Sequence, residues 1–201
     1  MSRYTFFYNP QSRAAIARWA FGEVGVEPEI VPVEWTDKPQ SLLDANPMGK
    51  IPTIIHHHGD HDHVVTEAAA ICHYLAEMEK PDLLPGAHEK AAYFRWLFFA
   101  SGPLEAAITA RSMGWSVDDP QKQGMLGYGS YDFAVDALDD MLGGRDYVCG
   151  ERFTMADVYV GSQVGWGLAF GTLPDRDSFK SYAARLGDRP AYKAAMGAME
   201  G

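Results

Sequence analysis

Glu67 is the carboxylate in this chain best placed to meet a ligand. It follows a short apolar run, Val64-Val65, and precedes a segment in which Ile71, Tyr74, Leu75 and Met78 recur at spacings of three and four. That spacing marks one face of a helix. The first turn of such a helix carries unpaired N–H groups and a partial positive charge, so it holds an anion while Glu67 takes a cation. A zwitterionic amino-acid end satisfies both, and Thr66 is the expected N-cap. Taken alone, Glu67 also fits the ordinary role of an acid complementing the helix dipole. A second feature lies upstream in Asn46-Pro47-Met48-Gly49-Lys50-Ile51-Pro52-Thr53. A turn through Gly49 leads to Pro52, which donates no ladder hydrogen bond and belongs at a strand's edge or first position. Main-chain groups left open beside it suit pairing with an extended peptide.

The order strand, helix, strand, then Asn46–Thr53, a hairpin and Thr66-Glu67-Ala68-Ala69-Ala70-Ile71-Cys72-His73-Tyr74-Leu75 resembles the N-terminal domain of the cytosolic glutathione transferases, in a bacterial form without an N-terminal cysteine. In that family the proline matching Pro52 is cis, and the residue matching Ile51 pairs through its backbone with the cysteinyl part of glutathione. The acid matching Glu67 and the next N–H, at Ala68, hold the γ-glutamyl end. The family often has serine where this chain has Ala68, so a side-chain hydrogen bond is lost and the backbone one remains. The resemblance implies an α+β fold: a thioredoxin-like domain, βαβαββα, over residues 1–80, a linker at 81–88 and an all-helical domain over 89–201. A second motif agrees with it. Phe153-Thr154-Met155-Ala156-Asp157-Val158 reads as a capping box with a hydrophobic staple, opening an apolar segment that matches the family's buried central helix.

The resemblance also implies the chemistry. Glutathione carries the thiol as co-substrate, and the protein stabilises its thiolate and adds it to a small apolar or aromatic electrophile. The family keeps its thiol-activating residue between the first strand and first helix, here the segment from Tyr8 to Arg13. Ser12 is the first choice, with helix capping as its equal alternative. Tyr8, which also suits a core position, and Asn9, which also suits a turn before Pro10, follow. Arg13, Lys38 and Lys50 are candidates for the glutathione carboxylates; a loop lysine is also commonly just solvated. No cysteine precedes Cys72, which disfavours mixed-disulfide chemistry and favours conjugation, peroxide reduction or isomerisation through glutathione's own thiolate. The family is dimeric, so a homodimer with a role in detoxification is expected. A non-catalytic binding or regulatory protein on the same fold is the alternative.

His56, His57, His58, His61 and His63 crowd with Asp60 and Asp62 into the hairpin. Alternate residues of a strand face opposite sides, so the hairpin does not by itself converge three or four ligands on one point. The expectation is a solvated turn with adventitious metal affinity and no functional metal.

The elements that must position these groups follow from punctuation. Tyr4–Phe7 reads as a strand and Ser12–Val24 as a helix, with Ile16, Trp19, Ala20 and Val24 on one face and Gly25 as C-cap. Glu29–Glu34 reads as a strand, Ser41–Ala45 as a short helix, and Ile51–Ile55 with His63–Val65 as a hairpin. Helices are expected over Glu89–Met113, interrupted at Gly102-Pro103, then Gln121–Leu142, Met155–Gly171, Ser178–Leu186 and Ala191–Met199. The aromatics Tyr93, Phe94, Trp96, Phe98 and Phe99, with Trp166 and Phe170, supply the core and an apolar wall for the electrophile. The 201 residues, 47% hydrophobic, suffice for a substantial core. A formal charge of -10 argues against nonspecific nucleic-acid or anionic-lipid binding. No segment reads as a membrane span or signal peptide, and two cysteines fit a reducing compartment, so a cytoplasmic location is expected.

Overall fold

A computed structural model describes residues 2–197. Its N-terminal part is the expected βαβαββα unit: β1 (Tyr4–Tyr8), α1 (Ala14–Val24), β2 (Glu29–Pro32), α2 (Gln40–Ala45), β3 (Thr53–His58), β4 (His61–Thr66) and α3 (Ala68–Glu79). The sheet order is β2-β1-β3-β4. β1 runs parallel to β2 and antiparallel to β3, which runs antiparallel to β4. Side-chain alternation on β1 sorts the core onto two faces. Tyr4 and Phe6 pack their rings on Phe21 of α1, while Phe7 joins Val33 and Leu42 on the other face. Gly25 closes α1 in the left-handed region at φ 75, a conformation glycine adopts without steric cost.

Two of the differences from the sequence reading bear on the site. β3 starts at Thr53 rather than Ile51, so Pro52 lies just ahead of a central strand and no ladder bond is lost to it. The strands also run through the histidines, leaving only Gly59 and Asp60 as the turn. Polar side chains there mimicked a loop, but cross-strand pairing continues to His58 opposite His61.

The second part is helical: α4 (Lys90–Phe99), a π-helical turn at Ala100–Leu104 containing Pro103, α5 (Glu105–Ser112), α6 (Pro120–Gln123), α7 (Tyr131–Leu142), α8 (Met155–Ala169) and α9 (Asp177–Gly187). The helix expected over Gln121–Leu142 is broken into α6 and α7, and Gly129 at φ 65 lies in the break. α8 is buried along most of its length, as a central helix must be, and opens with the expected capping box. Asp157 accepts from Thr154 N at 2.8 Å, Thr154 Oγ1 at 3.0 Å, Val148 N at 2.7 Å and Tyr182 Oη at 2.9 Å. Burial pushes its carboxyl up to about 6 while these donors pull the other way. Among the described residues no helix is long and apolar enough to cross a membrane.

The last helix, α10 (Pro190–Gly197), does not group with the helical part. One compact unit comprises the residues up to Leu84 together with those from Asp188 onward, and the other is Pro85–Gly187. What ties α10 to the first of these units is side-chain chemistry on α1. Arg189 makes a bidentate pair with Glu23 at 2.6 Å on both arms, and Glu23, only 7% exposed, also accepts from Trp19 Nε1 at 2.8 Å. Tyr192 packs edge-on against Trp19 at 4.8 Å. The expected helix end at Met199 lies outside the described residues.

Asp157→Ala leaves several buried donors without an acceptor, each costing about 1–3 kcal/mol. The expected outcome is a loss of about 3 kcal/mol or more in urea unfolding.

Candidate functional site

Register brings the separate sequence motifs together. Phe7 of β1 stands opposite Thr53 of β3, and Thr53 stands opposite Thr66 of β4. The Tyr8–Arg13 loop, the Ile51-Pro52 turn and Glu67 therefore all emerge at one end of the three paired strands.

Ile51-Pro52 is cis, and Ile51 precedes the paired residues of β3 while its side chain packs against the Phe7, Val33 and Leu42 cluster. What holds this turn is Asn46, a residue the sequence reading passed over. Its Nδ2 donates to Lys50 O at 3.0 Å and Thr53 Oγ1 at 3.1 Å, and its Oδ1 accepts from Met48 N at 3.2 Å. Its carbonyl accepts from Gly49 N at 2.7 Å, and Thr53 Oγ1 donates to Lys50 O at 2.8 Å. Asn46 is buried, so these bonds form away from competing water. An asparagine three residues before a turn glycine was the available signal. Gly49 takes φ 58, and a Cβ there would lie 3.3 Å from Lys38 Nζ. Lys38 is thus folded over the turn, beside exposed Lys50.

Glu67 rather than Thr66 is the residue that heads α3; Thr66 still belongs to β4. Its φ of 64 and ψ of 114 make it the one non-glycine at positive φ among the described residues. Such a conformation costs of order 1–3 kcal/mol and persists where the surroundings impose it, often at ligand sites. Here the cost turns the chain sharply from β4 into α3 and leaves the Glu67 side chain exposed above buried Ala68.

The loop after β1 spends its polar groups unequally. Ser12 Oγ donates to Asn9 O at 2.7 Å and accepts from Ala14 N at 3.0 Å, a local cap of the α1 start. A hydroxyl has one proton, and this one is committed. Asn9 donates one Nδ2 hydrogen to Val33 O at 2.9 Å and accepts from Gln11 N at 2.9 Å, which leaves its second amide hydrogen. The Tyr8 hydroxyl is buried without a hydrogen-bond partner among the described residues, and burial raises its pKa. Its ring lies 5.2 Å from Phe6, on the α1 side of the sheet. Arg13 is exposed at the head of α1. The assembled end of the sheet can therefore pair with an extended main chain, take an ammonium on Glu67, take a carboxylate on the α3 N–H groups and place an amide donor nearby.

Two substitutions separate support from strain. Glu67→Gly removes the unfavourable φ and is expected to raise stability by about 1 kcal/mol, since the strain relieved exceeds glycine's entropic cost. Asn46→Ala is expected to lower it by about 2 kcal/mol through lost buried hydrogen bonds. Urea titrations of both variants provide the check.

Comparisons with known proteins bear on the fold that carries this arrangement. Residues 2–77 match the family "Glutathione S-transferase, N-terminal domain". The chain is 24% identical to glutathione S-transferase GstA of Escherichia coli O157:H7 over 201 residues, 96% of each chain. It is 32% identical to elongation factor 1-gamma of Artemia salina over 133 residues, which cover 62% of this chain and 28% of that one. Among solved structures, a theta class glutathione S-transferase of Xanthomonas axonopodis pv. citri with glutathione bound superposes with a TM-score of 0.74 at 25% identity, over 98% of both chains. Residues 2–77 therefore match a glutathione S-transferase N-terminal domain, and the thioredoxin-like sheet followed by a helical second part is the fold the chain shares with solved glutathione transferases.

Proposed function

We propose that the protein binds glutathione at the Thr53–Thr66 end of its sheet and adds the thiolate to an apolar electrophile. The observation that carries this reading is Glu67, held at positive φ at the head of α3 beside the β1–β3–β4 register. In this reading Glu67 takes the γ-glutamyl ammonium and the N–H of Ala68 takes its carboxylate. The backbone of Ile51 pairs with the cysteinyl unit, with Pro52 ending the turn. Lys38 and Lys50, with Arg13 across the loop, supply positive charge for the remaining carboxylate.

Thiol activation requires a donor that is not already used. Each unit by which the glutathione pKa falls needs about 1.4 kcal/mol of preferential thiolate stabilisation. The Ser12 hydroxyl donates its hydrogen bond to Asn9 O, and the Tyr8 hydroxyl is enclosed, so we assign the donor role to the second Nδ2 hydrogen of Asn9, with Ser12 holding the loop. The same reading makes the protein a cytoplasmic homodimer acting in detoxification. The likeness to elongation factor 1-gamma supports a second reading, a non-catalytic protein on this fold.

Conjugation of a generic aryl halide tests both. Asn9→Ala and Asn9→Asp, the latter keeping the acceptor for Gln11 N but removing the donor, are expected to lower kcat roughly tenfold, about 1.4 kcal/mol of barrier. Ser12→Ala should cost about 1 kcal/mol of stability with turnover retained. Tyr8→Phe should retain turnover and lose no stability. A chain that neither binds glutathione by calorimetry nor conjugates supports the second reading, and a turnover loss confined to Ser12→Ala contradicts the Asn9 assignment.

A further inference from the structure

Alternation along one strand separates neighbouring histidines, but pairing two strands gathers them again. His56 and His58, two apart on β3, leave the sheet on one face, and the register sets His63 opposite His56 and His61 opposite His58. Directly opposed residues hold their Cβ atoms about 4.5–5.5 Å apart, so four imidazoles rise from one small quadrilateral. His57 lies on the other face, paired with Asp62 at 2.7 Å and contacting Thr5 Oγ1 at 2.9 Å.

One ring pair stands at the spacing of shared ligation and three stand slightly wider. Centroids are 5.2 Å apart for His56 and His58, 6.3 Å for His58 and His63, 6.4 Å for His61 and His63, and 6.5 Å for His56 and His63. Two imidazoles sharing one ion through bonds of about 2.0–2.1 Å hold their ring centres about 5–6 Å apart. Among the described residues no three His, Cys, Asp or Glu side chains are already gathered to hold an ion, so rotation of exposed His58, His61 and His63 completes the convergence.

His56 is the anchor of the cluster. It is 1% exposed, stacked on Tyr4 at 4.4 Å, with Nδ1 2.8 Å from the Tyr74 hydroxyl. Its Nε2 is buried and has no hydrogen-bond partner among the described residues. In the tautomer whose Nδ1–H donates to Tyr74, the Nε2 lone pair is left open, as an outer partner fixes it for a metal-bound histidine. Burial, with Arg3 next, lowers its pKa, and Arg3 itself is paired with Glu79 at 2.8 Å.

We propose that His56, His58, His61 and His63 form a site for one divalent transition-metal ion, Zn2+, Ni2+ or Cu2+, anchored on His56 Nε2. Neutral imidazoles select these ions over Mg2+ or Ca2+, which take oxygen ligands. The ion ties β3 to β4 at the turn end of the hairpin, the opposite end from Thr53 and Thr66, so the site is independent of the glutathione reading.

Calorimetric titration of the full chain, free of any polyhistidine tag, with ZnCl2 tests this, with circular dichroism confirming that each variant is folded. One equivalent of Zn2+ is expected to bind. His58→Gln and His63→Gln should each weaken it at least tenfold, and Tyr74→Phe should weaken it about tenfold by freeing the His56 ring. His57→Gln, on the opposite face, should leave it unchanged. Several weak equivalents, or equal losses from His57→Gln and His63→Gln, would mean an adventitious ion only and overturn the site.

Discussion

The pairing of Phe7 with Thr53 and of Thr53 with Thr66 is the constraint on which the rest of the site depends. Strand register is a discrete choice, because a slip of one residue turns every side chain to the other face. In this sheet the choice is enforced from both sides, by Phe6 against Phe21 and by Phe7 with Val33 and Leu42. Once it is made, three loops far apart in sequence have nowhere else to end. The same register, read at the other end of the hairpin, collects the four histidines.

Local devices then tune what register has assembled. Asn46 converts a flexible Pro-Met-Gly-Lys turn into a fixed one by bonding to both of its ends. Glu67 does the opposite, holding an unfavourable conformation that the strand before it and the helix after it impose. Ser12 ties the loop after β1 to the start of α1, which leaves Asn9 as the residue with a donor in hand. The site is thus stabilised at its supports and strained at the residue assigned to meet the ligand.

How much of this is legible in the sequence depends on how far apart the partners lie. The Thr154–Asp157 box and the Gly25 cap were readable because each is settled within a few residues. The βαβαββα order was readable from periodicity and punctuation, and the resemblance rested on motifs spanning little more than one turn or strand end. Partners far apart were not readable. Nothing near Arg189 announces that it meets Glu23, 166 positions earlier, and so draws α10 to the N-terminal unit. Val148 N–H and Tyr182 converging on Asp157 were equally hidden. The histidines misled because polarity suggested a turn, whereas cross-strand pairing, invisible in one strand, decided both their conformation and their face.

A crystal structure with glutathione soaked in bears most directly on the central claim, that one end of the sheet holds an extended γ-glutamyl peptide. The account requires the γ-glutamyl ammonium on the Glu67 carboxylate, its carboxylate on the Ala68 N–H, the cysteinyl unit along Ile51 and sulfur within reach of Asn9 Nδ2. Glutathione bound elsewhere, or at this end with Glu67 turned away from it, would contradict it.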